Sequence, residues 1–448
     1  MDVGALPAAL TLAVALVACD AAPDPTPHEV VEVASVPATP SRALDLVLQV
    51  DNSGSTVHLQ FALAEALPAL LDAIAIDGEL PDLHIAVVSS DLGTTGSLDP
   101  SQPAPDIGMV GQGGCAGAGD DGGFVTNGAP ITGTFVVDES DGAGGRTTNY
   151  TGTLADAVRQ MVSVGSVGCG FEQPLAATRR ALERADQASF VRPDASLAVL
   201  VLADEDDCSV RDPQFFTADT STLGDLQSFR CTRFGITCAE PLDALGIKTA
   251  CAPDEASSYV DGIQRFADFF AGLKRHDQLV IAAIAGVPDP FEIIEHTING
   301  MPQLGLAHSC MWQDTTTTHF ADPGVRLAAL AERLASRGAF EPVCTFDLRP
   351  ALRAIALPIR RSLGIACIDT ASLADTSPEP GIQPACEAYD VSPQGIATPL
   401  PRCPADGDCF ELVTDPAACP TTDDHARIAI TRTAPPPPGT RVDVRCER

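Results

Sequence analysis

Four near-continuous apolar runs limit how this chain can fold: "ALDLVLQV" (43–50), "LHIAVVSS" (83–90), "SLAVLVLA" (196–203) and "QLVIAAIAGV" (278–287). A strand with one wet face alternates apolar and polar residues. A run that is apolar at nearly every position belongs to a strand covered on both faces, as in a parallel sheet. Between these runs stand stretches with helical spacing, at 57–75, 153–165, 174–185, 259–273, 324–336 and 348–364. Pro68 is expected to kink the first of them. A shorter strand is expected in "TFVVD" (134–138). The alternation predicts an α/β fold with a doubly wound, mostly parallel sheet. In such sheets ligands sit beyond the carboxyl ends of the strands. Asp51, "SSD" (89–91) and "DEDD" (204–207) all fall at such ends and are expected to meet on one rim.

Past Cys367 the helical spacing stops, cysteines become dense and prolines cluster in "TAPPPPGT". "HARIAITR" and "TRVDVRCE" alternate as exposed strands do. The reading is a sheet domain over 43–366, with Cys-rich insertions, followed by a small disulfide-rich β module over 367–448. So short a unit has little core of its own and relies on staples.

The chain has 15 cysteines and 8 histidines. Setting Cys19 aside leaves an even set, divided between Cys115–Cys344 and Cys367–Cys446. Disulfides in an oxidising compartment are expected, with their connectivity open. No C-x-x-C pair occurs and the histidines are scattered, which argues against structural zinc. Cys169, at a helix start, is expected to be paired rather than reactive. The formal charge is −33, from 60 acidic and 27 basic residues. Such a surface repels phosphate backbones, which excludes nucleic acid as a partner and favours cations.

The N-terminal "ALPAALTLAVALVACD" is too short an apolar run to span a membrane. Leu16-Val17-Ala18-Cys19 resembles a bacterial lipobox, which implies a lipoprotein signal over 1–19 and a lipid anchor on Cys19. An ordinary secretory signal is the alternative. Residues 20–42, rich in Pro, Ala, Thr and acids, read as a disordered tether.

"LVLQVDNSGS" presents Asp51, Ser53 and Ser55 at alternate positions after a strand. It resembles the first strand and metal turn of von Willebrand factor type A domains. The resemblance implies a MIDAS-type site in which these oxygens hold Mg²⁺, or Mn²⁺ or Ca²⁺; hard cations prefer oxygen ligands. Asp204, following "LAVLVLA", matches the family's later aspartate. The family's threonine is missing from "GSVGCGFEQPLAA", where Glu172 is the nearest oxygen donor and is expected as a further metal ligand in its place. Thr147 and Thr148 in "GGRTTNYTG" are the other hydroxyls in that region, one element early. Without a metal, the turn would only cap the helix that follows.

"GCGFEQPL", "LADEDDCS" and "CTFDLRPALRAIALPIRRSLGIACI" resemble segments of type A-like lipoproteins of myxobacteria and related Gram-negative bacteria. The implied function is a lipid-anchored binding or adhesion module of the cell envelope, facing the periplasm, outer membrane or cell surface. A protein partner would complete the cation's shell with a carboxylate. A structural envelope lipoprotein with a degenerate site is the alternative. H-E-x-x-H, G-x-S-x-G and P-loop motifs are absent, and "EIIEH" (292–296) reads as an ordinary amphipathic segment, so an enzyme, here a hydrolase, is not expected.

Overall fold

The computed structural model describes residues 1, 29–298, 300–313, 317–371, 373–375 and 383–448. The signal segment, Cys19 and the first part of the expected tether lie outside them. The second part is no tether. Val30–Pro37 is a strand, β1, with Ala34 and Val36 buried. Its alternating apolar residues find a partner only near the far end of the chain, so a local reading of composition misses it.

A seven-stranded, mostly parallel sheet forms the body. Its strands are β2 (Ala43–Val50), β3 (Asp82–Ser89), β4 (Val136–Ser140), β5 (Arg146–Thr148), β6 (Ser196–Leu202), β7 (Leu279–Ala285) and β8 (Gly338–Pro342). The order is β8-β7-β6-β2-β3-β4-β5. The first five are parallel; β4 and β5 add antiparallel at one edge. Alternate residues of the central strands feed two cores. Leu44, Leu46, Leu48 and Val50 join α1 (Val57–Ile74), α2 (Leu154–Val162) and a later helix, Arg349–Ser362, on one face. Val47, Leu197, Val199 and Val201 join α3 (Pro174–Glu183), α4 (Ile263–Leu273) and α5 (Val325–Arg333) on the other. Each fully buried Leu or Val contributes about 1.5–3 kcal/mol, which is why these runs tolerate almost no polar residue. Pro68 lies inside α1, which continues through it.

Two segments differ from the expectation. Gly338–Pro342 is a fifth parallel strand, short, at the sheet edge and ending in proline, so its signal is faint. The "EIIEH" segment is part of a strand, Phe291–Ile298, that pairs antiparallel with Met301–Leu306.

Seven disulfides tie the cysteines from Cys115 to Cys446: Cys115–Cys169, Cys208–Cys231, Cys238–Cys251, Cys310–Cys344, Cys367–Cys419, Cys386–Cys446 and Cys403–Cys409. None crosses the division at Cys367, and the bonds fit an exported, oxidising compartment. The C-terminal strands are β9 (Cys386–Val391), β10 (Ala397–Leu400), β11 (Cys409–Thr414), β12 (Ala426–Thr431) and β13 (Arg441–Glu447). The sheet order there is β1-β13-β9-β10. The "TRVDVRCE" strand is thus interior, with Val442 and Val444 fully buried, because β1 covers the edge expected to face solvent.

Candidate functional site

β2 and β6 are neighbours, so their carboxyl ends deliver Asp51 and Asp204 side by side. The Asp51 N–H still donates to Leu202 O (3.1 Å), which holds the turn against β6. Asp51 is 2% exposed and Asp204 3%. Asp51 Oδ1 accepts from the Ser53 N–H (2.7 Å) and the Ser90 hydroxyl (3.1 Å). The Ser53 and Ser55 hydroxyls lie 3.1 Å apart. Thr56 Oγ1 donates to the carbonyls of Asp51 (2.9 Å) and Ser53 (3.0 Å), locking the turn as α1 begins.

The Glu172 turn is bound to the same rim. Gly168 N–H donates to Asn52 O (2.9 Å), Gln173 N–H to Ser90 O (3.0 Å) and Cys208 N–H to Glu172 O (2.9 Å). A Cβ on Gly168 would stand 2.2 Å from Asn52 Oδ1, so any side chain there would have to displace the Asn52 amide. The Cys115–Cys169 bond pins the turn from behind. Gln60 bridges Asp51 O (2.9 Å) and Gly165 O (2.6 Å), joining the two loops through one amide. Glu172 is 3% exposed beside this assembly.

The electrostatics are one-sided. Burial pushes Asp51 up to about 6 and Asp204 up to about 8, the latter helped by the Asp51 charge and opposed by a Ser55 hydrogen bond. Burial also carries Glu172 and Glu205 well above the carboxylate range, and Glu205 and Asp51 raise Glu172 further. Among the described residues, no Arg, Lys or His pairs with any of these four acids.

Two buried oxygens, Asp51 Oδ2 and Asp204 Oδ1, have no hydrogen-bond partner. Orphaned acceptors at such depth are costly unless a proton or a cation reaches them. With two serine hydroxyls alongside, the donor set is all oxygen and suits a hard divalent cation. Among the described residues no three His, Cys, Asp or Glu side chains stand in metal-ligating geometry, so part of any cation's shell would come from Ser53, Ser55, water or a partner.

The sequence-expected residues divide accordingly. Asp51, Ser53, Ser55 and Asp204 share the rim, and Glu172 flanks them. Thr147 and Thr148 are exposed on the edge strand β5, away from it. Glu205 and Ser90 escaped the sequence reading as site residues. A run of four acids at a strand end reads as an acidic loop with one ligand, Asp204, and Ser90 carries no signal beyond its place at a strand end.

No protein-family model matches the chain, and no curated protein sequence is similar to it. Among solved structures it is similar to the conserved hypothetical protein BatB from Bacteroides thetaiotaomicron, with 9% identity and a TM-score of 0.28, over 71% of this chain and 98% of that one. It is also similar to the human COPII-coat protein Sec24c (10% identity, TM-score 0.29, 92% of this chain and 40% of that one). A third likeness is to the pilus adhesin SpaC from Lactobacillus rhamnosus GG (9% identity, TM-score 0.25, 92% and 39%). At these scores none of the three assigns a fold or an activity to this chain.

Proposed function

We propose that this chain is an exported, lipid-anchored binding module with the doubly wound architecture of von Willebrand factor type A domains. Asp51, Ser53, Ser55 and Asp204 would hold one divalent cation, Mg²⁺ or a close substitute, with Glu172 beside it. A carboxylate from a partner protein would then complete the shell, so binding depends on the cation. Cys19 would carry the lipid that keeps the module at the cell envelope.

One observation carries this reading: two aspartates buried at adjacent strand ends, each with an orphaned oxygen and no basic partner. A fold made only for rigidity would replace them with neutral residues, because an uncompensated buried charge costs several kcal/mol. The test is thermal melting in Mg²⁺, Mn²⁺ or Ca²⁺ against EDTA, with capture of envelope proteins in the same buffers. A cation-dependent rise in melting temperature and EDTA-sensitive capture are expected. Identical melting in all buffers would sink the reading. For the anchor, Cys19→Ser should move the chain out of the detergent phase, and an unchanged partition would remove the lipid claim.

Glu172, in place of a hydroxyl, favours a second reading: a structural envelope lipoprotein whose rim is held neutral by protons. In that case cations change nothing while lowering the pH stabilises, so the same melting series separates the two.

A further inference from the structure

The acids of "DEDD" (204–207) have separate employments, and one is left over. Asp204 belongs to the rim. Asp206 accepts the backbone N–H groups of Arg326 (2.8 Å) and Leu327 (3.2 Å), so it caps α5. Asp207 takes the Arg326 guanidinium at 2.9 Å and the Ser209 hydroxyl at 2.7 Å. Glu205 has neither an ion pair nor a side-chain hydrogen bond among the described residues. Glu205 lines a cavity of about 210 Å³ between the rim, the Cys208–Cys231 insertion and the paired strands Phe291–Ile298 and Met301–Leu306.

The cavity has two kinds of wall. One is acidic: Glu205 and Asp322, with His308 Nδ1 held 2.7 Å from Asp322 Oδ1. The other is apolar: Phe229, Ile236 and Leu306. Arg326 also lines it, but its guanidinium is spent on Asp207, Gly235 O (3.1 Å) and Asp261 O (2.6 Å). The space is smaller than the roughly 300–1,000 Å³ of a drug-sized site, so it fits one side chain or one small molecule. A cationic head on an apolar stem satisfies both walls at once: the stem covers the carbon and the head pairs with the free carboxylate.

We propose that this cavity is a binding site for an ammonium or guanidinium group on an unbranched apolar stem, with Glu205 as its ion-pairing residue. The site borders the Asp51–Asp204 rim, whose charges reach Glu205, but it uses a different carboxylate and needs no metal ion. The stem and head describe a lysine or arginine side chain of a protein, or a free amine.

The probes are cadaverine and agmatine, with butanol and butyrate as neutral and anionic controls. They are titrated into the purified protein by calorimetry in EDTA and 0.5 M NaCl, where loose attraction to an acidic surface is screened. Cadaverine or agmatine should bind saturably with one site, and the controls should not. Glu205→Gln should weaken binding at least about tenfold, the weight of one hydrogen bond to a charged group. Glu79→Gln, on the exposed surface, should leave it unchanged. Removing an unpaired acid does not threaten folding, so Glu205→Gln remains a fair test, with its melting curve as control. Equal binding by Glu205→Gln, an equal loss in Glu79→Gln, or equal binding of butanol would overturn the proposal. To distinguish a protein side chain from a free amine, acetyl-lysine-methylamide is titrated beside cadaverine. Binding of the blocked lysine supports a protein source, and cadaverine alone a free amine.

Discussion

Asp45 and Asp51 lie on one strand line, both buried, and meet opposite treatment. At the amino end, Asp45 is fully buried and receives the Arg192 guanidinium at 2.8 Å and the Arg192 N–H at 2.7 Å. His84 Nδ1 stands 3.7 Å away, and Lys274 adds its charge. Lys274 is itself held by the carbonyls of Arg192 and Ala195. At the carboxyl end, Asp51 gets hydroxyl and amide donors but no cation. Burial raises both groups, yet only at Asp45 do neighbouring cations oppose it. The same contrast recurs within "DEDD", where Arg326 serves Asp206 and Asp207 and leaves Asp204 and Glu205. The chain therefore has the means to neutralise buried acids and does so at Asp45 and Asp207. At the rim it leaves that task to something from outside, a proton or a metal ion.

The largest expected effect is of pH on the cation-free protein. Asp204 titrates near 3.8 when unfolded and at about 8 when folded. The folded state thus holds the proton more tightly, and this stabilisation is complete below the unfolded value. It is lost as pH rises from about 4 to about 8, at up to about 1.4 kcal/mol per pH unit for one such group. Urea melts of wild type and Asp204→Asn in EDTA isolate the contribution: the variant should become the more stable one as pH rises. If the difference stays constant across that range, the contrast with Asp45 is false.

Next in size, Arg192→Met should cost about 3–5 kcal/mol, since it strands Asp45 without its ion pair. Denaturant unfolding at pH 7 reads this directly, and a loss below 1 kcal/mol would mean that Lys274 and His84 suffice. Smaller is Asp51→Ala, which should keep the fold and abolish the gain from cations. That gain is about 2.7 kcal/mol for wild type at a hundredfold excess over the dissociation constant. A variant that still responds to Mg²⁺ would move the site away from Asp51. Smallest is Ser90→Ala, which removes one donor to Asp51 Oδ1. It should cost about 1 kcal/mol in EDTA. Unchanged melting there would show that the Ser53 amide alone satisfies that oxygen.

How far these features were legible depends on how local their causes are. β2, β3, β6 and β7 announce themselves because each is covered on both faces, which forces apolar residues at consecutive positions. The placing of Asp51 and Asp204 together follows, since strand ends in a parallel sheet share a rim. Glu205 was not legible as distinct from its neighbours: four consecutive acids look alike until Arg326, more than a hundred residues later, pairs with some and not others. The disulfide partners were closed to sequence reasoning for the same cause. Val30–Pro37 was misread because proline and acid flanks suggest a tether, and only β13 supplies the facing strand.

That last pairing has a temporal side. β1 can form its ladder only with Arg441–Glu447, about 400 residues downstream. At roughly 5–20 residues per second, a ribosome needs about 20–80 s to cover that distance. Until Arg441–Glu447 has been made the early strand has no match, and the arrival of that segment is what shelters it. A copy that stops or is clipped short of Arg441 keeps an open sheet edge, the kind of surface that other chains and proteases engage. The early strand is thus half of a latch that shuts only once Arg441–Glu447 has been made.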